Sequence, residues 1–400
     1  MSATIQSAVC SLMLALLSFF VLGATHGAFA PTNLHVQSLR ERDALGIDVV
    51  DPVLSWDFEG ATVAHVVSRI DIVLSCTATA LDDEVSAFVR APVGQSFLST
   101  EVTRTTIRVG TGNEEQLGAT ATRLAVVDHA LRSSARHYWA VCATTSVGAR
   151  SCSRRHTFVT GLLQSSGGWT GKWIGGNGTA YPQPCTHCMA AYHAWCPKNE
   201  TGPSCKFRGI VLESPALALD VTKRVTSAIV HATGLGMFAL RIGGVPVSDA
   251  VLEPGFSTNF STRVLYSTYD VTKLVVDAAA LAATAPEATT TMSALIGAGK
   301  FSLEYLSPRY AFIAELHVSY SDGTVATALS TDAHWRVGDS AIVGENLYHG
   351  ELYDARRAAE PNWRPAAVLP APPIAGVLSA MLLPPMRRAK RIAPIAVVQR

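Results

Sequence analysis

Short runs of alternating apolar and polar residues recur along most of the chain, separated by turns rich in glycine, serine and aspartate. Pro52-Val53-Leu54-Ser55-Trp56-Asp57-Phe58 and Ser68-Arg69-Ile70-Asp71-Ile72-Val73-Leu74 are two of them. A period of two marks a strand with one face in a core. Tyr138-Trp139-Ala140-Val141-Cys142 and the series Arg154, His156, Phe158, Thr160 flank Ser146-Val147-Gly148-Ala149, which predicts a hairpin. About seven such strands across 31–163 predict a two-sheet sandwich. After the polar linker Gln164-Ser165-Ser166-Gly167-Gly168, strand-like runs resume at 210–219, 227–234, 237–242, 263–269 and 311–320. Ser321-Asp322-Gly323 turns the last of these back into Thr324-Val325-Ala326. An alanine-rich stretch at 275–283 predicts one short helix, and the rest of 169–365 reads as a jelly-roll sandwich. The predicted fold class is all-β.

The two ends differ from this pattern. Residues 1–30 contain an apolar run at 9–22 followed by small residues, the outline of a signal peptide without an initial basic residue. The run is shorter than a typical membrane span, and no later segment reads as one, so no membrane contact is expected beyond the leader. Residues 366–400 begin with the proline-rich Leu369-Pro370-Ala371-Pro372-Pro373. They continue into 381–398, read as the opening strand of a truncated further β domain with nothing to pair with it.

At 48% hydrophobic and 16% charged residues, the 400-residue chain is a folding sequence of two or three domains. A formal charge of +1 gives no electrostatic reason to expect a nucleic-acid partner. Asn177-Gly178-Thr179, Asn199-Glu200-Thr201 and Asn259-Phe260-Ser261 match the N-glycosylation pattern and suit a secreted chain. The cysteines point the same way. Cys142 and Cys152 lie on two arms of one hairpin, where a cross-strand disulfide is expected if register places them opposite each other. Cys185, Cys188, Cys196 and Cys205, with His187 and His193, suit two loop-bracing disulfides better than a zinc site, because the second pair lacks Cys-x-x-Cys spacing. Cys76 is left over. No metal site is assigned, and calcium is the one cofactor left open.

Several motifs carry a family resemblance. In the first module the early Trp56 and the late Tyr138-Trp139-Ala140-Val141 strand resemble the core of a fibronectin type III domain. In the second, Gly234-Leu235-Gly236-Met237-Phe238 runs through Ile242-Gly243-Gly244 to Glu253-Pro254-Gly255-Phe256. It is followed in order by Tyr269-Asp270-Val271-Thr272, Ile296-Gly297-Ala298-Gly299, Thr331-Asp332-Ala333-His334-Trp335 and Gly350-Glu351-Leu352-Tyr353-Asp354-Ala355-Arg356. Trp363 closes the unit, and Leu383-Pro384-Pro385-Met386-Arg387 follows it. This collinear set resembles the N-terminal region of the α-L-rhamnosidase family of inverting glycoside hydrolases. It implies a fibronectin-like sandwich followed by a galactose-binding-like jelly roll. It also implies that full-length relatives hydrolyse terminal α-L-rhamnose with acids supplied by a later helical barrel.

Glycosidases need two carboxyl groups at a set separation, and no barrel motif rich in Asp, Glu, Arg and Trp stands in this sequence, so no catalytic residue is assigned. Glu351, Tyr353, Asp354 and Arg356 are taken as family markers. Alternation would place Glu351 and Tyr353 on one face and Asp354 and Arg356 on the other, the latter as a buried ion pair locking two sandwiches. Asp249, Glu253, Asn259 and Arg263 cluster around a strand turn and are the candidates for a carbohydrate contact, with a loop-stapling role as the alternative. The expected function is a non-catalytic, carbohydrate-binding part of an α-L-rhamnosidase-like protein, with a rhamnose-containing glycan as partner and no activity of its own. The alternative is a secreted adhesion or scaffold protein built of the same sandwiches.

Overall fold

The computed structural model describes residues 30–49, 52–59, 67–90, 102–108, 123–126, 131–163, 168–176, 208–255, 260, 262–285, 287–297, 299, 301, 310–346, 350–357, 361–369, 377–390 and 392–393. The chain divides into two compact units. The first draws on Met1–Ala44, Val50–Leu131 and Arg136–Phe158, the second on Leu45–Val49, Arg132–Ala135 and Val159–Arg400. The leader, the four cysteines from Cys185 to Cys205 and the sequon asparagines Asn177, Asn199 and Asn259 lie outside the described residues.

The elements of the N-terminal half are β1 (Ala30–Val36), β2 (Leu39–Arg40), β3 (Leu45–Ile47), β4 (Val53–Glu59), β5 (Val67–Ser75), α1 (Ala78–Arg90), β6 (Val102–Arg108), β7 (Arg123–Val126), β8 (Arg136–Thr145), β9 (Arg150–Cys152) and β10 (His156–Thr160). In the first unit one sheet has the order β2-β1-β4-β7 and the other contains β10-β8-β5-β6, with β9 paired to β8. Trp56 and Trp139 are fully buried, as their place in alternating runs predicts. The hairpin forms between β8 and β9, tighter than expected, and β10 pairs with β8 separately.

One element departs from the expected all-strand module. Residues 78–90 form helix α1, whose Leu81 and Phe88 are buried and pack with Val73, Ala140 and Cys142. Leu81, Val85 and Phe88 fall on one helical stripe, and Ser75 Oγ accepts the Thr77 N–H at 3.1 Å just before the helix. The helix covers the second face of β5, and Asp71 in that strand is therefore fully buried rather than exposed by alternation. Its carboxylate takes both Nε (3.1 Å) and Nη2 (2.6 Å) of Arg69.

The second unit continues with β11 (Ile174–Gly175), β12 (Ile210–Ala216), β13 (Val225–Leu235), β14 (Met237–Ile242), β15 (Val245–Pro246), β16 (Arg263–Asp270), α2 (Thr272–Thr284), β17 (Thr291–Gly297), β18 (Ala311–Tyr320), β19 (Val325–Ser330), β20 (Arg336–Asp339), β21 (Ile342–Asn346), β22 (Gly350–Tyr353), β23 (Arg364–Pro365), β24 (Ala367–Val368) and β25 (Val377–Ala380). One sheet runs β24-β11-β18-β13-β16-β25, with β19 also on β18. The other runs β15-β14-β17-β12-β20-β23. Between them lies a core that includes Val230, Ala232, Phe238, Leu240, Met292, Phe312, Leu316, Trp335 and Val337. Phe312 joins the two sheets, its ring 5.7 Å from Phe238 and 6.1 Å from Trp335.

Local chemistry explains the motifs. Gly243 and Gly244 form the two-residue turn between β14 and β15, with φ of +56° and +78°. Positive φ at both positions is the I′ geometry for which Asn-Gly is the common solution and Gly-Gly an equivalent one. Tyr269-Asp270-Val271-Thr272 carries β16 into α2, where Asp270 Oδ1 accepts the Thr272 N–H at 3.1 Å and hydroxyl at 2.6 Å. Trp363 has the Arg336 guanidinium 4.4 Å from its ring centre. A Cβ added to Gly338 would come within 3.0 Å of that ring, so this glycine admits a close approach.

The tail corrects the expected unpaired strand at 381–398. The strand that forms is β25, and it pairs in parallel with β16, Arg263 opposite Val377 and Tyr266 opposite Ala380. The edge of β16 supplies ladder groups that an apolar segment would otherwise leave unpaired. Downstream, the Val251 N–H donates to the Met386 carbonyl at 2.9 Å, and Ala250 bridges Arg387.

Candidate functional site

Asp249 and Glu253 lie along the chain between β15 and β16 and Arg263 opens β16, and their side chains differ in what they can do. Asp249 is half-exposed and pairs with Arg387 of the tail. Arg263 is exposed at the start of β16, and Asn259 lies outside the described residues. Glu253 is buried, and its Oε2 accepts the Ser267 hydroxyl and, at 3.2 Å, the Tyr269 hydroxyl. Burial pushes the Glu253 carboxyl above the usual carboxylate range, more than those two hydroxyls and the Arg387 charge pull it down. The Tyr269 hydroxyl is pushed well up by burial and by the Glu253 charge beside it. The backbone of Glu253 is engaged as well, its carbonyl accepting the Phe238 N–H at 2.9 Å. Glu253 therefore holds the turn against β14 and β16, while Asp249 and Arg263 are the side chains presented outward.

The marker hairpin β21–β22 corrects a second expectation. Asp354 does pair with Arg356, through Nε at 2.8 Å and Nη2 at 2.9 Å. The pair is exposed rather than buried, with the Arg356 side chain 90% accessible. Strand alternation ends at Tyr353, and residues 355–357 form a 3-10 turn that Asp354 caps by accepting the Arg356 N–H at 3.2 Å. The Arg356 charge and hydrogen bonds hold the Asp354 carboxyl below its usual range. Glu351 and Tyr353 on β22 are exposed.

A third group of residues escaped the sequence pattern. The face of β13, β16 and β18 turned away from the core is buried and polar. His231 and Glu315 are fully buried there. Ser134 Oγ lies 2.8 Å from His231 Nε2, and Thr268 Oγ1 lies 3.0 Å from Nδ1. Glu315 Oε1 accepts the Thr170 N–H, the Thr170 hydroxyl at 3.0 Å and the Gly171 N–H at 2.5 Å, while Oε2 meets His317 Nε2 at 3.1 Å. Trp169 packs edge-on against Tyr266 with ring centres 5.4 Å apart. Burial alone would raise the Glu315 carboxyl, but its contacts with His317, Gly171 and Thr170 together hold it below the usual range. Burial, reinforced by the neighbouring His317, drives His231 well below the ordinary histidine value. The bare runs Ile229-Val230-His231 and Ala314-Glu315-Leu316 gave no sign of this, since alternation alone assigns their polar members to solvent.

Cys142 and Cys152 stand opposite each other in the β8–β9 register and are joined by a disulfide, their Cα atoms 4.0 Å apart. Among the described residues no three His, Cys, Asp or Glu side chains gather for a metal ion, and no helix is long and apolar enough to cross a membrane.

These sandwiches have known counterparts. The family model of the Rha78A-like N-terminal immunoglobulin domain matches residues 31–164, and that of the α-L-rhamnosidase N-terminal domain matches residues 223–390. An α-L-rhamnosidase of Streptomyces avermitilis is 36% identical over 136 residues, 34% of this chain and 13% of that protein. A solved α-L-rhamnosidase from Dictyoglumus thermophilum superposes with a TM-score of 0.62 at 22% identity, over 92% of this chain and 37% of the other. A Streptomyces avermitilis α-L-rhamnosidase solved with L-rhamnose gives a TM-score of 0.62 at 16% identity, over 91% of this chain and 47% of the other. At these identities the solved structures establish the fold, and the chain spans less than half the length of each of these proteins. An immunoglobulin-type sandwich followed in order by the jelly-roll module places this chain in the N-terminal region of the α-L-rhamnosidase family.

Proposed function

We propose that the chain is the non-catalytic, carbohydrate-binding part of an α-L-rhamnosidase-like glycoside hydrolase, and that its partner is a rhamnose-containing glycan. The observation that carries this is the collinear match of both N-terminal domain models across the two described units. The relatives are named α-L-rhamnosidases, and one was solved with L-rhamnose. Full-length relatives would cleave terminal α-L-rhamnose with two carboxyl groups held outside these modules. Within the chain, Asp249 and Arg263 offer the polar groups that orient a neutral sugar by hydrogen bonds, with Asn259 as the third candidate. Glu253 shapes the turn beneath them. Entry into the secretory pathway through the leader, glycosylation at the three sequons and bracing of the 185–205 loop by disulfides belong to the same proposal.

Titration calorimetry of the purified chain with L-rhamnose, with and without calcium, tests the binding role. Saturable heat at millimolar sugar is expected, weakened by Asp249→Ala with Arg263→Ala. No heat at that concentration, with either ion condition, would leave the sandwiches as a scaffold.

A further inference from the structure

The buried polar face of the second unit does more than fill space, because its central group is a histidine whose ring nitrogens meet hydroxyls rather than a carboxylate. His231 sits in the middle of β13, fully buried. Its two ring nitrogens meet two hydroxyls, Ser134 Oγ at 2.8 Å and Thr268 Oγ1 at 3.0 Å. A neutral imidazole donates at one nitrogen and accepts at the other, which these hydroxyls satisfy. The protonated ring donates at both, so one hydroxyl proton loses its acceptor and a net charge is left in a water-poor site.

The groups packed around it offer that charge little relief. From β18 come His317, whose ring centre is 5.7 Å away, and Glu315, whose carboxylate is taken by Thr170, Gly171 and His317. From β16 come Thr268 and Tyr266, the latter 5.8 Å from the imidazole centre and accepting the Leu162 N–H at 3.1 Å through its hydroxyl. Trp169 closes one side, with its ring 6.4 Å from His231. Asp48 is spent on the Ala380 N–H at 2.6 Å.

We propose that this face is a pH-sensitive lock, in which uptake of one proton by His231 leaves one of its two hydroxyl partners without an acceptor and a charge in a water-poor site, and so loosens residues 132–135 and 159–163 from the sheet. Those two stretches move together because they are tied to each other. The Ser134 N–H donates to the Gly161 carbonyl at 3.1 Å, the Thr160 N–H to the Ala135 carbonyl at 2.9 Å, and the Leu163 N–H to Ser133 Oγ at 2.7 Å. Ser134 itself carries a φ of +51°, so the conformation that delivers its hydroxyl to the ring is one the free chain rarely adopts.

Hydrogen exchange of the full chain between pH 7 and pH 5, corrected for the intrinsic pH dependence of exchange, reads the lock directly. As pH falls below the ordinary histidine value of 6.5, protection of peptides covering 132–135 and 159–163 is expected to fall with a slope approaching about tenfold per pH unit, that of one proton taken up on opening. His231→Gln, which keeps two neutral hydrogen-bonding groups, should flatten that slope, and His317→Gln should leave it in place. A slope that survives in His231→Gln, or that disappears only in His317→Gln, overturns the proposal. Should the glutamine variant fail to fold, histidine-ring NMR of the unmodified chain decides. The His231 ring must stay neutral in the closed chain over the pH range in which protection is lost, because only a proton taken up on opening gives the slope. A ring already protonated in the closed chain with protection intact, or protection that does not fall as pH drops below the ordinary histidine value, would refute it.

Discussion

The two faces of the β13–β16–β18 sheet are equally dry and chemically opposite. On one, Val230, Ala232, Phe312, Ala314, Leu316 and Val318 enter the sandwich core. On the other, His231, Thr233, Thr268 and Glu315 are buried together with Ile229 and Ile313. The apolar face is stabilised by area removed from water and tolerates any side chain of suitable shape. The polar face is stable only while each group keeps its partner, because a buried donor or acceptor left unmatched costs more than a hydrogen bond contributes. Burial alone thus says little about how a surface responds to mutation or pH, and the two faces should fail in different ways.

The largest effect is expected on the apolar side. Phe312→Ala removes the ring that meets Phe238 and Trp335, and should lower the unfolding free energy of the second unit by about 3–5 kcal/mol in a urea titration. On the polar side, Glu315→Ala strips the acceptor from the Thr170 and Gly171 N–H groups, and a loss of about 3 kcal/mol is expected in the same titration. Gly46→Ala comes next. Its φ is +77°, and a Cβ there would stand 2.3 Å from Thr268 Oγ1, so the loss should be about 1–3 kcal/mol. Gly148, at φ +84° but with open space around it, isolates the backbone strain, so Gly148→Ala should cost less than Gly46→Ala.

Acid should separate the faces without any mutation. His231 is held below its ordinary value of 6.5 when folded, so the unfolded chain takes the proton first and stability is lost as pH falls below that value. Glu315 is held below 4.5, and the stability it contributes is lost further down, as pH falls through its folded value. Glu253 acts in the opposite sense. Its folded value lies above 4.5, so its contribution is present below that and lost as pH rises through the folded value. Thermal unfolding from pH 7.5 to 4 should therefore show a falling midpoint in the parent chain and a shallower fall in His231→Gln. The smallest effect is expected at the marker hairpin. Arg356→Ala breaks an exposed pair and should leave the unfolding midpoint unchanged.

Much of the apolar side was legible in the sequence because alternation encodes it. β14 and β18 occupy the predicted 237–242 and 311–320, and the β18–β19 turn places Gly323 at φ +85°, as its Ser-Asp-Gly sequence requires. The predicted 275–283 helix is present within the longer α2. What stayed hidden depends on neighbours distant in sequence. His231 and Glu315 read as solvent-facing until Ser134 and the Thr170-Gly171 backbone arrive to satisfy them. The partner of β25 is β16, more than a hundred residues earlier. Helix α1 carried a legible stripe of Leu81, Val85 and Phe88, which a uniform expectation of strands passed over. At the candidate site, the place of Asp249, Glu253 and Arg263 beside a strand turn was readable from the sequence. The burial of Glu253, and the Arg387 that meets Asp249, were not.

The central claim is that these modules accompany glycoside chemistry without performing it, and an activity assay meets it most directly. The purified chain incubated with an aryl α-L-rhamnoside should release no aryl alcohol or rhamnose above the buffer rate. Release that disappears in Glu351→Ala with Asp354→Ala, or in Glu253→Gln, would place a catalytic carboxyl in these sandwiches and contradict the account.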